Sequence, residues 1–188
     1  MKINLIPAIR LTLVFLVFFC GVYTLSVLGI SKLAPKNWTF SKSENGFYEN
    51  VGQGFTSDKY FWSRPSAVGY NAAGSGGSNK GPSNPDYLAE VQARIDTFLV
   101  HNPEITKEEI PSDLVTASGS GIDPNISVQA AKVQVKRIAK VRNMSETTIH
   151  QIIEQQTEKP LLGIFGIEKI NVLNLNIQLD HISKTITQ

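Results

Sequence analysis

The residues with the most chemical promise lie in Ser75-Gly76-Gly77-Ser78, followed by Asn79-Lys80-Gly81. Backbone amides in such a glycine run can cradle a phosphate or another anion. A phosphate-binding P-loop needs a Gly-Lys pair followed by Ser or Thr. Here Lys80 follows Asn79 and precedes Gly81, so that pattern fails. No G-x-G-x-x-G follows a strand-like run, and the Ser-Gly-Gly core lacks the Leu and Gln that flank it in ABC-transporter signatures. No serine sits in a G-x-S-x-G elbow, and no H-E-x-x-H occurs; these are the spacings that build a serine nucleophile or a zinc protease site. His101, His150 and His181 are scattered, and Cys20 stands alone. One thiol excludes an internal disulfide and a cysteine zinc site. No residue therefore qualifies as catalytic, and no metal site is expected. The chain's polar character points to recognition instead.

The first element that could position anything is apolar. Leu11 to Ile30 is a run of 20 residues without a charge, bracketed by Arg10 and Lys32. At about 1.5 Å per residue, such a helix spans about 30 Å, the thickness of a bilayer's hydrocarbon core. A cleaved signal peptide has an apolar region of about 7–15 residues and a small-residue cleavage site. The Ser31-Lys32-Leu33-Ala34-Pro35 that follows has no such site. The reading is a tail over residues 1–10 and an uncleaved anchor over 11–33. Cys20 is a small apolar filler in mid-span, and Gly21, Ser26 and Gly29 are small enough to let another helix pack closely. Lys2 and Arg10 on one flank nearly balance Lys32, Lys36 and Lys42 on the other. The basic-residue rule leaves orientation open.

The remainder holds one domain's worth of chain. The net charge of +2 implies no large nucleic-acid footprint, and 41% hydrophobic residues are too many for a disordered segment. A lead-in over 34–62 carries an expected short strand near Phe47 to Phe55. A single globular domain over 63–188 opens with a long polar loop, 63–85. Asn84-Pro85 then starts a helix, with Leu88, Val91, Ile95, Phe98 and Leu99 on its core face. A second polar loop, 113–124, holds an expected strand at Asp113 to Thr116 and a turn at Ser118 to Gly121. Ser127 caps a helix to about Val141, whose Lys132, Lys136, Arg137, Lys140 and Arg142 form a basic face. That face reads as solvated, or as a contact with anionic lipid or an acidic partner. Ser145 caps a helix with Ile149, Ile152 and Ile153 inward. Leu173, Leu175, Ile177 and Leu179 alternate with Asn174, Asn176 and Gln178, a half-buried strand pattern. The fold class is α/β or α+β: a compact domain of about three helices and a few short strands, preceded by one N-terminal transmembrane helix.

Several motifs resemble one family. They are Tyr60-Phe61-Trp62-Ser63-Arg64-Pro65-Ser66-Ala67, Tyr70-Asn71, Ser75-Gly76-Gly77-Ser78-Asn79, Gly81-Pro82-Ser83-Asn84-Pro85, the run from Asp113 to Pro124, and Asn171-Val172-Leu173-Asn174-Leu175-Asn176. In this order they resemble the C subunit of the Kdp potassium-transporting ATPase, KdpC. Two features depart from the family pattern: Ser63 replaces the usual glycine before Arg64, and the lead-in from Lys36 to Gln53 is only loosely similar.

The resemblance implies an accessory subunit of an ATP-driven potassium uptake pump, without catalysis of its own. It would act as a catalytic chaperone that raises the ATP affinity of the ATP-hydrolysing P-type subunit. Its partners would be that subunit, a channel-like potassium-binding subunit, a small helical subunit and membrane lipid, but no nucleic acid. It would hold no cofactor itself; ATP with Mg belongs to the ATPase subunit or is shared in a transient ternary complex. The family topology places the N-terminus in the cytoplasm and the domain outside the bacterial inner membrane. An outside domain cannot touch cytoplasmic ATP, so an alternative role is an extracytoplasmic cap over the potassium entrance. Candidate contacts with a partner or ion are Arg64, Ser66, Asn71, Ser75, Gly76, Gly77, Ser78, Asn79, Ser83, Asn84, Asp113, Thr116, Ser118, Ser120 and Asp123. A competing reading is that these loops bond to themselves and fix their own turns.

The span is directly testable. Val17→Arg, near its centre, should cost about 2.5–3.5 kcal/mol of translocon-mediated insertion. A glycosylation-reporter insertion assay that finds normal insertion of this variant would remove the drawn span.

Overall fold

A computed structural model describes residues 4–33 and 46–186. The chain separates into an N-terminal helical unit and a C-terminal domain. Residues 1–3 of the expected tail and 34–45 of the expected lead-in lie outside the described residues.

The N-terminal unit is one apolar helix, Leu5–Leu33, with a mean hydropathy of 2.4. It comprises α1 (Leu5–Leu16), a π-helical turn (Val17–Tyr23) and α2 (Thr24–Leu33). The helix starts six residues before the charge-free run. Pro7 falls in the first turn, where an amide proton is not needed, so it does not stop the helix. In the widened turn, the Thr24 hydroxyl donates to the Phe19 carbonyl, five residues back, at 2.9 Å. The Ser26 hydroxyl donates to Val22 at 2.7 Å. These bonds satisfy both hydroxyls within the helix itself, as apolar surroundings would require.

In the domain, α3 (Pro85–His101) begins as its cap signal requires: the Asn84 side chain accepts from the Tyr87 amide at 3.0 Å. Three short strands follow, β1 (Asn125–Ile126), β2 (Thr157–Glu158) and β3 (Lys169–Asn171). They form an antiparallel sheet in the order β1-β3-β2, with Ile170 opposite both Ile126 and Thr157. Four more helices complete the unit: α4 (Val128–Lys132), α5 (Val135–Arg142), α6 (Glu146–Gln156) and α7 (Val172–Ile186). The core joins Phe61, Phe98, Ile126, Ile138, Ile149, Ile152, Ile153, Ile170, Leu175 and Leu179. An antiparallel sheet with helices alongside it is the α+β alternative of the expected fold class.

Several local expectations are overturned, each for a physical reason. The run Leu173 to Leu179 is helix α7, not a strand. Val172, Leu175, Asn176 and Leu179 are buried, at spacings of three, four and seven that define a helical face. Asparagine and leucine alternate on both periods at once, and packing selects the helix. Asp113 to Thr116 forms a 3-10 turn (Ser112–Leu114), and no strand forms from Phe47 to Phe55. Ser127 caps its helix, accepting from Ala130 at 3.0 Å, but the helix breaks after Lys132. There Gln134 is fully buried and its side-chain amide donates back to Ala130 at 2.9 Å. Leu88 is 52% exposed and lies outside the core that Val91, Ile95 and Phe98 of the same helix join.

The largest correction concerns the basic face. Lys132, Lys136 and Lys140 are exposed, but Arg137 and Arg142 turn inward. Arg137 is 6% exposed. It donates to the carbonyls of Asp58 (2.5 Å) and Tyr60 (3.1 Å), to Gln134 Oε1 (2.7 Å) and to Asn102 Oδ1 (3.1 Å). Its guanidinium lies over the Trp62 ring at 4.8 Å. Burial pushes its pKa down to about 10, against the pull of Asp58, and it stays charged at neutral pH. Asn176 holds the same strap from the α7 side: it accepts from the Phe61 amide at 2.8 Å and donates to the Phe61 carbonyl at 3.0 Å. Gln134 accepts from the Trp62 amide at 2.8 Å. Arg142 donates to Lys59 O and Asp180 Oδ1, both at 2.6 Å, and Asp180 also accepts from the Tyr60 hydroxyl. Residues 58–62 thus lack a strand partner, and side chains satisfy their backbone instead.

Three variants test this strap. Arg137→Met removes a buried charge that four acceptors depend on, and should destabilise the domain by more than about 4 kcal/mol. Arg137→Lys should not restore it, because an ammonium cannot reproduce the planar fork. Asn176→Leu should cost about 1–3 kcal/mol for each of the two orphaned Phe61 groups. Urea unfolding of the full chain in detergent measures all three; losses under 1 kcal/mol, about the value of one ordinary hydrogen bond, would show that the strap is not fastened this way.

Candidate functional site

The two motif loops meet along their length. The Arg64 guanidinium pairs with Asp123 at 2.8 Å. The Ser66 hydroxyl donates to the Gly121 carbonyl at 2.5 Å and accepts from the amides of Val68 and Tyr70. Ser118, 3% exposed, donates its amide to Pro65 O at 3.1 Å. The Ser120 carbonyl accepts from both the Gly76 amide and the Ser75 hydroxyl, each at 2.9 Å. The Tyr70 hydroxyl donates back to Arg64 O at 2.7 Å, and burial raises that phenol's pKa.

Three glycines set how close the two loops and the lead-in come. Gly121 has φ +69, and a Cβ there would sit 2.5 Å from Val68 Cγ2 and 2.6 Å from Gly76 O. Gly52 donates to Ile122 O at 2.6 Å, and a Cβ on it would lie 2.5 Å from Asp123 O. Gly77 approaches Gly119 O in the same manner. The glycine-rich segment therefore turns toward the second loop, and the Gly76 amide is already bonded to protein.

Most remaining candidates fasten local turns. Asn71 accepts from Ala73, Asn84 from Tyr87, Ser120 from Ile122, and Ser78 weakly from Lys80 at 3.5 Å. Thr116 donates to Ser112 O at 2.7 Å. Asp113 accepts from the Ser127 amide and hydroxyl, and Asp123 also accepts from the Asn125 amide. Asn79 and Ser83 differ: among the described residues, their exposed side chains bond to nothing. Near them, Lys80 pairs with Glu90, and that bond holds the Glu90 carboxyl below its ordinary pKa. Gly21, Ser26 and Gly29 lie on the N-terminal helix; neither glycine has a neighbour within 4 Å, and the Ser26 hydroxyl is bonded within its helix.

The domain carries two clefts with polar linings. One, of about 520 Å³, is lined by Arg64, Asp113, Asp123, Ser127, Glu168 and Lys169. In it the Arg64 Nε is buried without a hydrogen-bond partner. The other, of about 290 Å³, lies beside His101, Asn102, Lys136, Arg137 and Lys140, with His101 Nδ1 2.8 Å from Asp58 Oδ1. Among the described residues, no three His, Cys, Asp or Glu side chains converge as a metal site would require. The arrangement suits recognition through a stiff polar surface. Of the strap residues, Asp58, Asn102 and Gln134 escaped the sequence reading, and Arg137 and Asn176 read in sequence as part of a basic face and of a strand. The available signal was polar residues interrupting apolar helical stripes.

Comparison with known proteins agrees with this architecture along the chain. The family model described as KdpC, the c chain of the K+-transporting ATPase, matches residues 5–181. A potassium-transporting ATPase KdpC subunit of Bacteroides thetaiotaomicron is 52% identical over 185 residues, covering 94% of this chain and 97% of that protein. The corresponding subunit of Flavobacterium psychrophilum is 51% identical, covering 95% of this chain and 98% of its own length. That of Bacillus cereus is 43% identical, covering 95% of both. With one apolar helix, a small α+β domain and near-complete coverage by these relatives, the chain belongs to the KdpC family, the C subunits of the K+-transporting ATPase.

Proposed function

We propose that this subunit performs no catalysis and acts as a catalytic chaperone, raising the ATP affinity of the ATP-hydrolysing P-type subunit and helping to assemble the complex. Its partners are that subunit, the channel-like potassium-binding subunit, the small helical subunit and membrane lipid. The observation that carries this reading is the interlocking of the motif loops. Hydroxyls, carboxylates and a glycine amide that could serve chemistry are already bonded within the domain, several of them to carbonyls of the facing loop, while Asn79 and Ser83 stay free at the surface. A surface of that kind presents fixed hydrogen-bonding groups to a partner at little further entropy cost. ATP with Mg is bound by the ATPase subunit or shared transiently with this chain, which holds no cofactor of its own.

The apolar helix crosses the bacterial inner membrane once, with the N-terminus in the cytoplasm and the domain outside. Influence on ATP is then allosteric: the domain must favour one pump conformation over another. The second reading, an extracytoplasmic cap over the potassium entrance, is favoured by that single crossing, which separates the domain from cytoplasmic nucleotide.

Kinetics of the purified pump separate the two. Removal of this subunit should raise the KM for ATP by about fivefold or more, the lower range of allosteric coupling. An unchanged KM would leave only the cap. Asn79→Ala with Ser83→Ala should weaken copurification with the other subunits while the unfolding midpoint stays unchanged. By contrast, Gly121→Ala should destabilise the domain by at least about 2 kcal/mol through a strained φ and overpacking. Topology is read in a Cys20→Ala background with a membrane-impermeant thiol reagent. Ala89→Cys should label in cells with a permeabilised outer membrane, and Asn4→Cys only after lysis. The reverse pattern would put the domain beside ATP and end the cap reading.

A further inference from the structure

The hairpin that joins β2 to β3 exposes five large apolar side chains in seven residues. Leu161 is 71% exposed, Leu162 81%, Ile164 75%, Phe165 61% and Ile167 79%. Water solvates such a cluster poorly, and contiguous apolar patches on a folded domain mark contact sites. The tip is nonetheless ordered by its backbone. Leu161 and Phe165 exchange bonds at 2.9 and 3.0 Å, and Gly163 donates to Pro160 O at 2.9 Å. Leu162 takes a left-handed φ of 55°, beside Gly163 at 76° and Gly166 at 98°. A leucine held there is strained, and such strain collects where a segment is shaped for contact. The base is polar and balanced: Glu158, Lys159, Glu168 and Lys169 surround it, and Lys169 pairs with Glu158 at 3.3 Å.

We infer that this hairpin tip is a preformed apolar plug that seats in an apolar groove of another subunit of the pump, with the charged base as its polar rim. The inference rests on the subunit reading above. An apolar centre inside a polar rim is the anatomy of a protein interface. The area decides against a second copy of this chain. A self-standing interface takes about 20–30 residues and roughly 800 Å² from each side; five residues cannot supply it. They suffice for a partner already held nearby in one assembly, where effective concentration replaces area. The charge balance decides against lipid. Segments seated in a membrane surface carry an excess of Lys and Arg on their polar face. The tip has none of these, and each base lysine is matched by a glutamate.

The test uses the full chain coexpressed with the other pump subunits. In one arm, Phe165→p-benzoylphenylalanine is irradiated in membranes, and the expected product is a covalent adduct with another pump subunit. An adduct with lipid alone, or with a second copy of this chain, overturns the inference. In the other arm, Ile164→Ser with Phe165→Ser should reduce recovery of pump subunits on this chain by about tenfold, the equivalent of one strong contact. The domain's unfolding midpoint should not move, since both side chains face solvent. Unchanged recovery by the variant, with normal recovery by the native chain, overturns the plug alone. Failure of the native chain to recover any pump subunit overturns the subunit reading itself. If the double variant unfolds, the photo-crosslink, which keeps an aromatic ring at position 165, still decides.

Discussion

Arg137 is the fastening on which the domain's irregular half depends. A guanidinium at 6% exposure is tolerable only when its donors are matched, because desolvation of an unpaired charge costs several kcal/mol. Here it reaches two backbone carbonyls and two side-chain oxygens, and its flat face rests on Trp62. With Gln134 and Asn176 it gives residues 58–62 the bonds that a neighbouring strand would otherwise supply. The aromatic run Tyr60-Phe61-Trp62 is thereby pinned between α5 and α7, with Phe61 fully inside the core.

From that anchor point the polar loops follow. Trp62 leads into Ser63 and Arg64, and Arg64 meets Asp123 in the second loop. Each further contact pairs a small side chain or amide of one loop with a carbonyl of the other, and glycine at 77 and 121 permits the approach. The chemistry-bearing groups are used up by this cross-bonding. What remains for a partner is shape and a few free amides and hydroxyls at the rim. That division between a rigid frame and a small free surface suits a subunit of a larger assembly.

The N-terminal helix has the length and composition to cross a bilayer. Its side chains are apolar throughout most of its length, and its hydroxyls bond inward to the helix backbone. The π-helical turn at Val17–Tyr23 includes Gly21. Widened turns of this kind interrupt regular helices at places of functional use, which fits a segment where another helix could approach.

Local physics written along the chain was legible without a structure. The 20-residue apolar run matches a bilayer, and Asn84, Ser127 and Ser145 start helices because short polar side chains satisfy the first free amides. Ile149, Ile152 and Ile153 are buried as their spacing requires. The ordered motifs identified the family. Tertiary structure decided what those signals leave degenerate. Leu173 to Leu179 satisfies periods of two and of 3.6, and only packing of Leu175, Asn176 and Leu179 into the core selects the helix. Five basic residues on one helical segment look alike in sequence. Only the carbonyls of Asp58 and Tyr60, nearly eighty positions away, draw Arg137 inside and leave Lys136 in water. Such choices rest on bonds between distant segments, and no local pattern encodes a bond whose partner is set by the fold.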